Sequence, residues 1–227
     1  MSSPAVLSLE TYFERLRHVD PVPVYGSVVR VVGLVVESIG PPARVGDVCE
    51  LRDDTGQRLP MEVVGFRDGR LLSVPLGDTA GIRPGHRVVL RRGASLMPVG
   101  DGVLGRVIDG LGQPIDGKGP IESAGSAPLK PAALNPLARE PITTPISTGV
   151  RAIDAMLTCG RGQRIGLFGG SGIGKSTLLG MMARGTSADV VVLALVGERG
   201  REVRSFLEYD LGTQGLERSV VVVSTDR

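Results

Sequence analysis

Tryptophan is absent from this chain of 227 residues, and aromatic side chains make up only 3% of it. Proteins that grip single-stranded nucleic acid stack bases on aromatic rings along a basic groove. With so few rings and a formal net charge of only +2, nucleic acid is not expected as a partner. Cysteine is equally scarce. Cys49 and Cys159 lie far apart, and no basic segment followed by an apolar core opens the chain. That argues for reduced thiols packed as small apolar groups and against a disulfide framework. No run approaches the ~18 consecutive apolar residues that a membrane span needs. Lysine is the last shortage: Lys118, Lys130 and Lys175 are the only three among 26 basic residues, and the other 23 are arginine.

What is present is apolar content of 41% in a chain long enough for two domains with real cores. One of the three lysines stands in a revealing place. Gly169-Gly170-Ser171-Gly172-Ile173-Gly174-Lys175-Ser176 matches the phosphate-cradling pattern G-x-x-x-x-G-K-[ST] at every fixed position. Such a loop must leave a strand and open a helix. Arg164–Phe168, with Ile165, Leu167 and Phe168, reads as a short buried strand, and Ser176–Ala183 reads as the helix. Gly170 to Thr177 would then place backbone N–H groups and the positive helix end around a nucleotide's phosphates. A compact ammonium at Lys175 reaches phosphate where a planar guanidinium does not substitute. The Ser176 hydroxyl would ligate Mg²⁺, so ATP and Mg²⁺ are the expected ligands.

The rest of the chain divides into four stretches. Residues 1–22 hold a short amphipathic helix, with Leu9, Tyr12, Phe13, Leu16 and Val19 on one face and Pro21 and Pro23 ending it. It docks on its own domain, on a partner helix or on a membrane surface. Residues 23–92 carry short β-rich runs (Val28–Glu37, Val48–Arg52, Met61–Phe66, Leu71–Val74, Arg87–Arg91) between turn signals such as Asp53-Asp54-Thr55-Gly56 and Arg67-Asp68-Gly69. That is the pattern of a small closed barrel. Residues 93–149, rich in glycine and proline, read as an extended connection. Residues 150–227 alternate strand and helix: the P-loop helix, an apolar strand at Val190–Val196, a helix with Val203, Phe206, Leu207 and Leu211, and a strand at Val220–Val223. Alternation of this kind gives a parallel sheet with ligands at the strand C-terminal ends.

Glu198 follows the Val190–Val196 strand and so emerges at such an end. A carboxylate there is a candidate to orient the water that attacks a γ-phosphate, although an acid at a helix N-terminus is also favoured by the helix dipole alone. Arg199 is a candidate to contact the γ-phosphate or to hold Glu198. His18 and His86 lack acidic or cysteine neighbours at ligand spacing and read as surface residues. Met181 and Met182 read as core.

Several stretches together resemble the ATPases of type III protein export, and within them the flagellar export enzymes. Gly105–Gly117 (GRVIDGLGQPIDG) looks like a segment shared with rotary ATP synthase subunits. Pro136–Ile142 (PLAREPI), Thr148–Asp154 (TGVRAID), Gly160–Arg164 (GRGQR) and the P-loop at Gly166–Ser176 follow in the family's order. Gly197–Val203 (GERGREV) matches the export enzymes, whereas rotary catalytic subunits usually have Thr and Gly where Gly200 and Val203 stand here. The resemblance implies an α/β P-loop (RecA-like) parallel sheet, incomplete in this chain, preceded by a small all-β barrel. It implies a homo-hexamer, a cytoplasmic location peripheral to the inner membrane, a stator-like regulator at the N-terminal helix, and an export gate and chaperone–substrate complexes as partners. Residue by residue, Lys175 and Ser176 match the phosphate and Mg²⁺ positions and Glu198 the catalytic glutamate.

The chain stops at Arg227, ahead of the family's magnesium-linked aspartate, its adenine-packing residues and its interface arginine. Asp226 is not that aspartate by family order. Weak hydrolysis, or none, is therefore expected of this chain alone. A rotary synthase-type subunit, a hexameric RNA helicase and a non-catalytic nucleotide-binding assembly module stay open as alternatives.

Overall fold

The computed structural model describes residues 24–91, 96–129, 135–170 and 172–225. The expected helix at residues 8–19, together with His18, Ser171 and Asp226, lies outside them. The chain forms two compact units, residues 1–95 and 96–227.

The first unit is a closed barrel of six antiparallel strands: β1 (Tyr25–Val32), β2 (Val35–Ile39), β3 (Val48–Arg52), β4 (Arg58–Arg67), β5 (Arg70–Pro75) and β6 (Arg87–Arg91), in the order β1-β2-β5-β4-β3-β6. The expected run Val28–Glu37 is two strands, because the chain turns at Gly33. Alternation along each strand sends Val28, Val36, Cys49, Leu51, Met61, Val63, Leu71 and Val88 into one core. Met61, Val36, Val63 and Val88 are wholly buried. Closure leaves no free sheet edge. His86, expected at the surface, is only 5% exposed. It precedes the inward-facing Val88 by two residues and so points the same way, and its Nδ1 accepts a hydrogen bond from the Arg83 backbone N–H at 3.4 Å.

The second unit begins with β7 (Leu96–Val99), β8 (Arg106–Asp109) and β9 (Gly125–Pro128). The supposed connection is thus partly sheet: β7 pairs with β9, and β8 joins the parallel sheet of this unit. What fixes β8 is Arg106, whose Nε reaches Asp116 Oδ2 at 2.7 Å while its NH2 donates to Asp116 Oδ1 at 3.0 Å and to the Gly119 carbonyl at 2.6 Å. The pair is nearly buried and draws the Gly/Pro-rich turn back over the strand. Then come β10 (Pro145–Ile146), α1 (Arg151–Met156), β11 (Cys159–Gly160), α2 (Lys175–Gly185), β12 (Val191–Glu198), α3 (Gly200–Ser205), a π-helical stretch (Phe206–Leu211), α4 (Gly212–Glu217) and β13 (Ser219–Thr225). β13 lies between β12 and β8, parallel to both.

One face of this sheet is covered: Val107, Leu193, Leu195, Val221 and Val223 pack with Ala183, Val203, Phe206 and Leu211. α2 comes very close to the π stretch at Gly180, where a Cβ would stand 2.6 Å from the Asp210 carbonyl oxygen. Only glycine fits there. On the other face, Val192 and Val196 are 70% and 72% exposed.

Residues 163–170 correct the expectation. They form no strand, and Ile165, Leu167 and Phe168 are 46%, 37% and 95% exposed. Among the described residues no strand pairs with this segment, so its apolar side chains lack the neighbours that would bury them. Met181 is also exposed rather than core, because it lies on the side of α2 turned away from Gly180 and Ala183.

Candidate nucleotide-binding site

α2 starts where the sequence motif requires. Gly172 and Gly174 have φ of +77° and +90°, backbone conformations that side-chain-bearing residues rarely adopt. Gly174 caps the helix without any side-chain hydrogen bond. The first helical bond runs from Leu178 N–H to the Gly174 carbonyl at 2.9 Å, so the N–H groups of Lys175, Ser176 and Thr177 have no intrahelical acceptor. With no side-chain cap and no acceptor for these donors among the described residues, the eleven-residue helix presents free N–H groups and a partial positive charge at its first turn, which is what an anionic ligand requires.

The Lys175 ammonium lies over this loop and donates to the Gly169 carbonyl oxygen at 2.8 Å. Gly169 is closely approached by Ile173, whose Cδ1 would be 2.0 Å from any Cβ there, whereas nothing stands within 4 Å of the corresponding point at Gly170. Ile173, Ser176 and Thr177 are exposed, and neither hydroxyl bonds to another described residue. Ser176 can offer one oxygen to a hard cation. Among the described residues no group of three or more His, Cys, Asp or Glu could hold a metal. A Mg²⁺ here would take most of its ligands from phosphate and water, which is the ion's usual habit.

Glu198 ends β12, opposite Thr225 of β13, so it does lie at the C-terminal end of a parallel strand. It makes no hydrogen bond or ion pair with another described residue, and nothing ties it to the loop. Arg199 caps α3, and its NH1 lies 3.5 Å from Glu202 Oε1 in an exposed i,i+3 pair. It therefore holds neither Glu198 nor the loop in this structure.

The sequence reading missed a support behind the site. Asp154 accepts hydrogen bonds from Ser147 Oγ (2.8 Å), Thr148 N (2.8 Å), Thr148 Oγ1 (2.7 Å) and Gly149 N (3.1 Å). These donors, led by Thr148, hold its carboxyl down to about 2. The fixed turn packs at Gly149 against Gly185, the last residue of α2. The available signal was Ser147-Thr148-Gly149 standing just ahead of a short helix that contains Asp154, a pattern in which side chains and backbone satisfy one another locally.

Comparison with known proteins agrees with this geometry. Residues 28–91 match the β-barrel domain of the ATP synthase alpha/beta family and residues 149–227 its nucleotide-binding domain. The chain is 49% identical over 210 residues to the flagellum-specific ATP synthase of Bacillus subtilis (strain 168), covering 88% of this chain and 46% of that protein. It is 44% identical over 223 residues to the type 3 secretion system ATPase of Sinorhizobium fredii (strain NBRC 101917 / NGR234), covering 98% and 49%. The assembled ATPase EscN of the enteropathogenic E. coli type III secretion system superposes with a TM-score of 0.75 at 38% identity, over 88% of this chain and 48% of that one. EscN in complex with its central stalk EscO gives 0.78 at 39% identity, over 88% and 49%. The chain spans about half the length of the curated relatives it matches. With barrel and nucleotide-binding models both matched and the P-loop built at a helix start, the chain belongs to the ATP synthase alpha/beta family, on the side of its flagellar and type III secretion members.

Proposed function

We propose that this chain is the barrel and the nucleotide-binding portion of an ATPase that energises type III protein export, coupling ATP hydrolysis to substrate unfolding and release from chaperones. The observation that carries the reading is the uncapped first turn of α2 with Lys175 beside it. Backbone N–H groups from Gly170 to Thr177 would receive the phosphates. The Lys175 ammonium would exchange the Gly169 carbonyl for β- and γ-phosphate oxygens, a stronger, charge-assisted partner. Ser176 would supply one oxygen to Mg²⁺, whose charge offsets that of the phosphates. Glu198, without a partner among the described residues, would orient the attacking water. Arg199 would have to leave Glu202 to reach the γ-phosphate, and the exposed pair is weak enough to allow it.

The domain limits carried into this reading are 1–22, 23–92, 93–149 and 150–227. The complete assembly would be a homo-hexamer; the assembled state of EscN and its complex with the central stalk EscO support an oligomer with a stalk partner. A stator-like regulator would bind the N-terminal segment, and the export gate and chaperone–substrate complexes would lie at the inner membrane's cytoplasmic side. Among the described residues no helix is long and apolar enough to cross a membrane. A non-catalytic assembly module is the second reading, favoured by the exposed 163–170 segment, which forms no strand ahead of the loop.

Calorimetric titration of Mg-ATP into the chain and into Lys175→Ala, with phosphate release followed in the same samples, separates the two. Binding abolished by Lys175→Ala, with turnover far below ~1 per second, is the expected result. Equal binding by both proteins would remove Lys175 from the phosphate site, and no binding by either would leave the assembly module.

A further inference from the structure

The outer face of the barrel carries a row of like charges that neither the nucleotide site nor the core requires. In the registers of β4, β3 and β6, Arg58 stands opposite Arg52 and Arg52 opposite Arg87. Leu51, Met61 and Val88 face the core, so strand alternation turns all three arginines to the other side. Directly opposed like charges on one sheet face are unfavourable. A single carboxylate lies among them: Glu50, whose side chain is 10% exposed, meets Arg52 Nε at 2.8 Å and Arg58 Nε at 3.8 Å. Among the described residues Arg87 has no carboxylate partner, and it rests over the Tyr25 ring at 5.4 Å. The nearest other acids are engaged: Asp53 accepts from Thr55 and Gln57, and Asp54 pairs with Arg83. Arg52 and Arg58 remain 41% and 66% exposed at the side chain, so their guanidinium N–H groups reach solvent.

We infer that the row Arg58–Arg52–Arg87 is a docking surface for an acidic helix of a partner protein. Neighbouring strands lie about 4.8 Å apart, so the row spans about 10 Å across two spacings. On an α-helix, side chains at i and i+3 or i+4 are about 5–6 Å apart, and i to i+7 rises about 10 Å. Glutamates at i, i+3 and i+7 would therefore meet the three arginines in order, each through the bidentate contact that guanidinium and carboxylate favour. A single-stranded nucleic acid would want aromatic platforms beside the cations, and the ring here, Tyr25, already has Arg87 over it.

The test titrates the full chain against a fluorescein-labelled, alanine-based helical peptide with glutamate at i, i+3 and i+7, read by anisotropy at low salt. An isomer with the same glutamates scattered around the helix, a single-stranded oligonucleotide and phosphatidylglycerol vesicles are run in parallel. The patterned peptide should bind several-fold more tightly than its isomer. Arg58→Ala/Arg87→Ala should weaken it about tenfold, while Arg67→Ala, at the far end of β4, leaves it unchanged. Glu50 keeps Arg52 in the double variant; should that protein melt early, Arg58→Gln/Arg87→Gln retains the packing and removes only the charge. Equal binding of the two isomers, equal loss in Arg67→Ala, or preferred capture of the oligonucleotide or the vesicles would each overturn the assignment.

Discussion

In the barrel each strand has two hydrogen-bonded neighbours and the core is sealed; in the second unit a parallel sheet of three strands is packed along one face, while on the other Ile108 and Val220 are buried but β12 is left open among the described residues. An antiparallel barrel completes itself from local turns. A parallel sheet needs crossovers and is normally covered on both faces. β12 is written for the second arrangement, since Val192 and Val196 are as apolar as Leu193 and Leu195, yet the described residues bury only the latter pair. The same contrast runs through the chemistry: among the described residues, the unit with the P-loop holds Lys175, Glu198 and Arg199 without joining them.

The largest effect expected from this difference is a disparity in stability. Met61 is wholly buried in the barrel, and Met61→Ala should cost ~2–5 kcal/mol through lost contacts and the cavity left behind. Val192→Thr on the open face keeps the β-branched shape and should stay within about 0.5 kcal/mol of the parent. Denaturant unfolding of the two variants checks this. A substantial loss from Val192→Thr would mean that face is covered in solution, and the comparison would fail.

The two thiols give a sharper and smaller contrast without any substitution. Cys49 is fully buried in the barrel core, and burial, with Asp47 nearby, pushes its thiol up to about 11. Thiolate is the reactive form, so this group should resist alkylation until the barrel opens. Cys159 sits in the two-stranded β10–β11 pair, with its S–H donating to the Leu157 carbonyl oxygen at 3.3 Å. Timed iodoacetamide labelling followed by peptide mass analysis should modify Cys159 at least ~10 times faster than Cys49, because local opening of a two-residue pair costs far less than unsealing a barrel. Equal rates would mean that both units open together.

The barrel and the P-loop are legible in the sequence because the signals of both are local. Turn residues and period-two alternation are local, and they marked β3 through β6 within a few residues of their observed ends. The motif at Gly169–Ser176 is also local, and Gly172 and Gly174 take up the positive φ that favours glycine. What could not be read was anything set by distant partners. Arg106–Asp109 looks like part of a loop until β13 is placed beside it and Asp116 closes on Arg106. Ile165, Leu167 and Phe168 look like a buried strand because their apolarity does not say whether a neighbour is there. His86 reads as a surface residue by its residue type, whereas strand parity turns it inward with Val88. The placement of Arg199 on Glu202 follows from α3 beginning at Gly200, which sets the two residues one helical turn apart.

The smallest effect lies in the turn behind α2, and it tests whether a finished local network can exist in the less finished unit. Asp154 is held to about 2, chiefly by Thr148 through its N–H and hydroxyl and then by Ser147. A carboxyl depressed on folding stabilises the native state fully above its ordinary value near 4, and that contribution disappears as pH falls toward and through about 2. Amide exchange of the peptide around residues 147–149 should therefore stay slow down to pH ~4 and accelerate below it, after correction for the intrinsic pH dependence of exchange. Asp154→Asn, which keeps an acceptor oxygen but adds a misplaced donor, should exchange faster at neutral pH and lose the acid-dependent step. The barrel's core peptides, protected by closure rather than by this carboxylate, should show no difference between the two proteins. If the acid step survives in Asp154→Asn, the titrating group is elsewhere and the turn is held by packing of Gly149 against Gly185 alone.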